Sequence, residues 1–290
     1  MTLWTELQSC PHRLDWIEAG GVRTRVLEAG PSGASEPGRT VLLLHGVNGH
    51  LEVFLRNVVA HAAQYRVLAI DLLGHGYTGK PEHDYEIEHY VRHVLDVMDA
   101  AGVETASLVG TSLGGWIAAR IAAQHPARVA SLSLISSGGL TAYGSVMDKL
   151  RSLGTKAAQE GGRAAVRTRL EFVIKDKANI TEELIEARWR IYQQPDYQRA
   201  LPHILCLQDM AVRERNLLSE EELGRIAAPT LVLWTQDDPT ASLEDGRRYA
   251  DAVPGSRFEV FDRSAHMPQW EEAERFNALH LDFLARASGD

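Results

Sequence analysis

Short apolar runs ending in glycine, aspartate or serine recur along the chain, and longer stretches with helical character separate them. The runs are residues 40–44 before His45-Gly46, 66–70 before Asp71, 106–109 before Gly110, 131–135 before Ser136, 230–234 before Thr235, and 257–261 before Asp262. This alternation predicts an α/β protein with a mainly parallel sheet covered by helices. Nearer the N-terminus, residues 14–19 and 22–28 flank Gly20-Gly21, which reads as a hairpin, so antiparallel strands precede the parallel ones. Residues 30–38 form a proline, serine and glycine loop between strands.

Between about residues 140 and 228 the strand signal disappears. Helix starts replace it: Asn179 with Glu182, and Ser219 with Glu222, have the spacing of a capping box. An all-helical insertion of this kind reads as a lid, dividing the chain into core (1–139), cap (140–228) and core again (229–290). After the last strand the apolar pattern resumes at Trp270, Phe276, Leu279 and Phe283, which predicts a final helix.

Composition narrows the function without choosing it. At 290 residues the chain buries a substantial core without disulfides or metal. A formal charge of -9 repels nucleic acid and anionic lipid. The only cysteines, Cys10 and Cys206, are too few and too far apart for a disulfide or zinc framework, which suits a reducing compartment. No secretory leader and no stretch of membrane-span length are evident. The expectation is a cytoplasmic protein acting on a small molecule, without nucleic-acid or membrane partners. A homo-oligomer is compatible with the sequence.

Candidate chemistry begins at LVGTSLGGW, where Gly110, Ser112 and Gly114 fit G-x-S-x-G. A serine hydroxyl attacks poorly until a base removes its proton, so it must project from a sharp strand-to-helix turn toward a histidine. Glycines at 110, 114 and 115 and alanines at 118, 119 and 122 relieve the crowding such a turn creates. The bland alternative, a glycine-rich turn with a capping serine, fits an isolated motif better than one framed by this strand and helix. His266 follows the last strand, at the edge of the sheet where such folds gather their sites. Asp237 and Asp238 leave the strand before it, and a buried carboxylate there would hold the imidazole in the right tautomer. The order Ser, Asp, His is that of an α/β-hydrolase. After His45-Gly46, the Val47 amide could face the Leu113 amide across a developing oxyanion.

Two other patterns are read as decoys. Gly74, Gly76 and Gly79 fit G-x-G-x-x-G, but Pro81 stands where a phosphate loop needs Ser or Thr, so the segment is read as a turn near the site's rim. His89 and His93 have ligand spacing, but Tyr90 replaces the glutamate of a zinc protease motif, and a solvated helix face is the reading preferred over zinc. No cofactor or metal is expected.

With these residues assembled, the chain from roughly residue 15 to 285 resembles the meta-cleavage-product hydrolases, α/β-hydrolases that cut a carbon–carbon bond in ring-fission products of aromatic degradation. The resemblance is densest at AHMPQWEEAERFNALHLDFLAR. It implies Ser112, Asp238 and His266 as a triad, and it is the resemblance that favours Asp238 over Asp237. TEELIEARWRIYQQP is similar to the family's cap segment carrying a carboxylate-binding arginine, which implies that role for Arg188; the residues alone equally allow a surface ion pair among Glu182, Glu183, Glu186 and Arg190. Gly46, Thr111, Met267 and Trp189 are further expected substrate contacts, and Met147 and Tyr192 are other cap candidates. The chain departs from the family at Val47-Asn48-Gly49, at Thr111 where Asn is frequent, and at Met267 where Trp is frequent. Those departures keep a carboxylic ester hydrolase open, for example of a monoalkyl ester of an aromatic diacid. Because fold does not fix function, a non-catalytic binding protein on the same fold is the alternative of another class, and the intact triad weighs against it.

Overall fold

The structure is a computed structural model that describes residues 3–31 and 39–289; the loop expected at 30–38 therefore lies largely outside the described residues. Eight strands form one sheet: β1 (His12–Ala19), β2 (Val22–Ala29), β3 (Thr40–Leu44), β4 (Arg66–Ile70), β5 (Ala106–Thr111), β6 (Val129–Ile135), β7 (Thr230–Thr235) and β8 (Arg257–Phe261). Their order is β1-β2-β4-β3-β5-β6-β7-β8, antiparallel from β1 through β4 and parallel from there on. Gly20 and Gly21 both adopt positive φ in the hairpin, as a tight turn matched to strand twist requires.

Strands β3, β5 and β7 are buried at every position, which explains why they read as unbroken apolar runs rather than alternating ones. From β3 the chain crosses first to β4 on one side and later to β5 on the other. That reversal opens a crevice beyond the carboxyl ends of β3 and β5, where α/β sheets hold their ligands.

Helices α1 (Leu55–Ala62), α2 (Ile87–Ala100) and α3 (Leu113–Gln124) belong to the first part of the chain. Between β6 and β7 the chain is helical only, with α4 (Gly144–Thr155), α5 (Gly162–Val173), α6 (Glu182–Tyr192), α7 (Pro195–Ile204), α8 (Met210–Asn216) and α9 (Glu220–Leu223). Then come α10 (Leu243–Ala252), α11 (Pro268–Glu271) and α12 (Ala273–Ser288).

Two local expectations need correction. Ser219 and Glu222 do form a reciprocal capping box, but α6 is capped by Thr181, whose hydroxyl accepts from the Leu184 amide. Asn179 ties the cap to the core instead: its side-chain oxygen accepts from Arg56 and its carbonyl from the Trp270 indole. The expected final helix is two helices broken at Glu272, whose buried carboxylate accepts from the Arg263 amide and the Ser264 hydroxyl.

Candidate active site

Ser112 joins β5 to α3 with φ 54° and ψ −113°. A non-glycine residue held there costs about 1–3 kcal/mol, which the surroundings must offset. They do so by over-determining the turn. The Ser112 amide donates to the Ile135 carbonyl at 3.0 Å, and the Ser112 carbonyl accepts from the amides of Trp116 and Gly138, each at 3.0 Å. The motif glycines have a steric cause. A Cβ on Gly110 would stand 2.2 Å from Gly114 backbone atoms, and one on Gly114 would stand 2.1 Å from the Leu44 carbonyl oxygen. Helix α3 can press against β3 and β5 only without those side chains.

His266 and Asp238 meet as the sequence anticipates. His266 Nδ1 lies 2.9 Å and 3.1 Å from the two Asp238 carboxylate oxygens. The Asp238 side chain is fully buried, whereas Asp237 is exposed and pairs with Lys175, so geometry separates the two aspartates. Burial by itself would push the Asp238 carboxyl up, but the His266 ring beside it, with further hydrogen bonds, holds it below its usual range. An ionised Asp238 assigns the imidazole proton to Nδ1 and leaves Nε2 as the free base. Thr240, which the sequence reading missed, gives both its amide and its hydroxyl to Asp238 Oδ1, at 2.8 Å and 2.7 Å. The His266 amide donates to Val173 at the end of α5, so the cap helps hold the histidine loop.

Ser112 and His266 line one cavity, but no hydrogen bond joins them. Among the described residues the Ser112 hydroxyl has no hydrogen-bond partner, which leaves it free to rotate. Neither the Val47 amide nor the Leu113 amide donates to a protein acceptor among the described residues, and both residues line the cavity beside Ser112. The Leu113 amide is spare because it opens α3. Val47 is set by the turn after β3, where His45 Nδ1 donates to the Gly46 carbonyl at 2.7 Å while His45 Nε2 accepts from the Leu72 amide. Gly46 lets this turn approach; a Cβ there would lie 3.1 Å from Ser112 Cβ.

The cavity has two lobes, with empty volumes of ≈ 590 and ≈ 490 Å³, that share Val47, Ser112, Leu150 and Thr240. The smaller lobe holds Gly46, Thr111, His266, Met267, Arg169 and Arg188. Arg188 is therefore not a surface residue. Glu186 pairs with Arg190 and Arg163, and Glu182 with Arg163 and Arg167, leaving Arg188 turned inward. Its Nε donates to His50 Nε2 at a long 3.5 Å, and His50 Nδ1 donates to Glu52 at 2.7 Å. Burial pulls the Arg188 guanidinium below its ordinary pKa, and Arg169 pulls the same way. Arg169, also unforeseen, donates Nη2 to the Val47 carbonyl at 3.3 Å, while its Nε and Nη1 are buried without a partner. Among the described residues neither arginine has a carboxylate at ion-pair distance.

A sequence signal for both arginines exists. On α5, Val166, Leu170 and Val173 are buried with Arg169 between them, and on α6 Arg188 sits among Leu184, Ile185, Ile191 and Tyr192. A cation inside an apolar stripe faces the interior.

The other expectations divide, each for a clear reason. Trp189 is half-buried and lines neither lobe, because adjacent helical residues point about 100° apart and Arg188 takes the inward direction. Tyr192 lines neither lobe; its hydroxyl donates to the Asn48 carbonyl. Met147 does line the larger lobe. The face carrying His89 and His93 is not uniformly solvated: His89 is exposed, but His93 is buried between the Thr24 hydroxyl and the Leu73 amide. Gly74 and Gly76 take positive φ in a turn closed over the Asp71 carboxylate, and the next helix begins only at Ile87.

A serine on a strained strand-to-helix turn, an aspartate–histidine pair on the loops after β7 and β8, and spare amides beside the serine belong to the architecture of α/β-hydrolases. A family model for the alpha/beta hydrolase fold matches residues 39–273. The chain is 33% identical over 258 residues to the 2-hydroxy-6-oxo-6-phenylhexa-2,4-dienoate hydrolase of Burkholderia cepacia, covering 86% of this chain and 88% of that one. It is 32% identical over 259 residues to a 2-hydroxy-6-oxononadienedioate/2-hydroxy-6-oxononatrienedioate hydrolase of Comamonas testosteroni, with coverage of 86% and 88%. A solved meta-cleavage product hydrolase from Pseudomonas fluorescens IP01, a serine-to-alanine mutant complexed with acetates, superposes with a TM-score of 0.80 at 26% identity, over 94% of this chain and 98% of that one. The chain is a hydrolase of the α/β-hydrolase fold family, belonging with the meta-cleavage-product hydrolases. Among the described residues no helix is long and apolar enough to cross a membrane.

Proposed function

We propose that this protein hydrolyses the carbon–carbon bond of a carboxylate-bearing 2-hydroxy-6-oxo-dienoate, the type of substrate its relatives are named for. One observation carries the carboxylate: the lobe beside Ser112 and His266 buries two guanidinium groups, Arg188 and Arg169, with no carboxylate partner among the described residues. Burying unpaired charge is costly, and an anionic ligand relieves it.

In the proposed reaction the substrate carboxylate docks at Arg188, with Gly46, Thr111 and Met267 around the dienoate. The dienol ketonises first, because a vinyl carbanion that has not been protonated is a very poor leaving group. His266 Nε2 then takes the Ser112 proton as the hydroxyl oxygen attacks the carbonyl, and the Val47 and Leu113 amides hold the oxyanion. Asp238 keeps the imidazole in the tautomer this requires and stabilises its charged form. Collapse breaks the carbon–carbon bond, and the leaving fragment takes the proton that His266 holds and departs as the dienol, which returns the imidazole to its basic form. Water, deprotonated by His266, releases the acyl group as a carboxylic acid. No cofactor takes part. Two unpaired cysteines suit a reducing, cytoplasmic setting.

The same groups would also cleave an ester with a carboxylate for Arg188. Thr111 and Met267, where the resemblance leads one to expect Asn and Trp, give that second reading its basis. The test offers a dienoate ring-fission product, simple esters and carboxylate-bearing esters in parallel. Loss of dienoate absorbance at a kcat/KM well above that for any ester supports the proposal; turnover of esters alone overturns it.

A further inference from the structure

The larger lobe carries a cation of its own. Arg213, on α8, is 9% exposed, and its guanidinium lies 5.0 Å from the centre of the Trp116 ring. Nε donates to the Thr141 carbonyl at 2.9 Å and Nη1 to the Leu207 carbonyl at 3.4 Å. These contacts fix the plane of the group and spend two of its nitrogens. Nη2 has no protein acceptor, and no carboxylate lies at ion-pair distance, among the described residues. Burial lowers the Arg213 pKa to about 10, which still leaves the group charged at neutral pH.

The walls around Arg213 are polar in the same unfinished way. Gln208 Oε1 and Trp116 Nε1 are buried without hydrogen-bond partners, and both residues line this lobe. An apolar acyl group would leave the indole N–H and the guanidinium desolvated and unanswered, at a penalty for each, whereas the Gln208 oxygen, itself an acceptor, does not bear on the choice. A carboxylate would answer the charge and offer acceptors to the indole and the guanidinium. The lobes share Ser112, with Arg188 and Arg169 in one and Arg213 in the other. A carbonyl at Ser112 therefore lies between two cationic ends.

We infer that Arg213 is a specificity residue that reads a second carboxylate, on the acyl side of the scissile bond, so that the substrate is a dianion and the acid released is a dicarboxylic acid. This rests on the reading above, in which Ser112 attacks and Arg188 takes the dienoate end. The chemistry is unchanged: water adds across the acyl–carbon bond, and the distal carboxylate is a spectator. A reaction supplying this substrate must open a ring that already carries a carboxyalkyl side chain.

The test uses two 2-hydroxy-6-oxo-dienoates that differ only at the acyl end, one with a 2-carboxyethyl group and one with a 3-methylbutyl group of similar shape. Measured are kcat/KM with the wild type and the dissociation constant with S112A. Binding to S112A reads the Arg213 contact whether or not the wild type cleaves the bond, so failure of this inference and failure of the carbon–carbon reading are distinguishable. The expected result is about tenfold to hundredfold tighter binding of the carboxyethyl compound, the range for a hydrogen bond to a charged group. Adding Arg213→Met to S112A should abolish that preference by weakening the carboxyethyl compound alone, and Arg213→Lys should restore part of it. Equal or tighter binding of the 3-methylbutyl compound to S112A, or an Arg213→Met effect equal on both compounds, would overturn the inference. The second outcome would make Arg213 a tether between α8 and the Thr141 loop.

Discussion

Replacing Asp238 by Asn exchanges one carboxylate oxygen for an NH2 group and should cost most of the activity. Three donors converge on the carboxylate: the Thr240 amide and hydroxyl on Oδ1, at 2.8 Å and 2.7 Å, and His266 Nδ1, 2.9 Å from Oδ2. Asparagine has one acceptor oxygen and an amide that only donates. Keeping that oxygen on Thr240 preserves two bonds and turns the amide toward His266. Nδ1 must then accept, the imidazole proton moves to Nε2, and the lone pair needed to deprotonate Ser112 is gone. Turning the amide the other way sets it against two Thr240 donors in a fully buried site. Loss of the orienting carboxylate in a serine triad costs about 10⁴-fold in kcat, or about 5 kcal/mol of transition-state stabilisation. The assay is kcat with saturating dienoate, alongside a thermal melt to show that D238N is folded. Asp237→Asn is the control; that side chain is exposed and, among the described residues, meets only Lys175, so its kcat should stay within about twofold. A folded D238N within tenfold of wild type, or a D237N as damaged as D238N, would refute the tautomer argument.

Arg188→Met should lower kcat/KM for the dienoate by about tenfold to hundredfold while leaving the melting temperature unchanged or higher, since it removes a buried charge with no carboxylate partner; a large fall in melting temperature would contradict this. Gly114→Ala places a Cβ 2.1 Å from the Leu44 carbonyl and 2.8 Å from the His45 carbonyl, backbone atoms that cannot step aside. It should destabilise the fold by about 1–3 kcal/mol or more, and an unchanged melt would count against the packing described. Acid should weaken the fold through buried histidines. Burial lowers the pKa of His45, His61, His75, His93 and His280, to about 4 for His75 and about 3 for His93. The unfolded chain binds protons below about pH 6.5 where the fold does not. Stability is therefore complete above that value and falls beneath it by about 1.4 kcal/mol per pH unit for each histidine kept neutral. Urea midpoints that stay flat from pH 7 to 5 would contradict that linkage.

What was legible in the sequence follows the range of the interactions. Strands β3, β5 and β7 read correctly because a strand buried on both faces needs an apolar run, a local property. Ser112, His266 and an aspartate after β7 were legible because each ends or follows a strand at one edge of the sheet, whereas the choice of Asp238 over Asp237 came from the family resemblance alone. Arg213 was not legible, because a charged residue on a short helix ordinarily faces water, and only the packing of the cap over the cavity reverses that; Arg169 had a signal in the apolar stripe of α5 that went unread. Trp189 was misplaced because spacing alone does not say which of two adjacent helical residues faces the cavity, and helix geometry gives that direction to Arg188. Asn179 was read as a cap because its side chain competes for local amides, whereas Arg56 and Trp270, far away in sequence, claim it.

The most direct measurement is turnover of a 2-hydroxy-6-oxo-dienoate by the wild type and by S112A under saturating conditions. If an oxygen on that one strained residue carries the bond cleavage, the variant should bind the compound and lose on the order of 10⁶-fold in kcat. A folded S112A protein that cleaves the dienoate within a hundredfold of the wild-type rate would contradict the account.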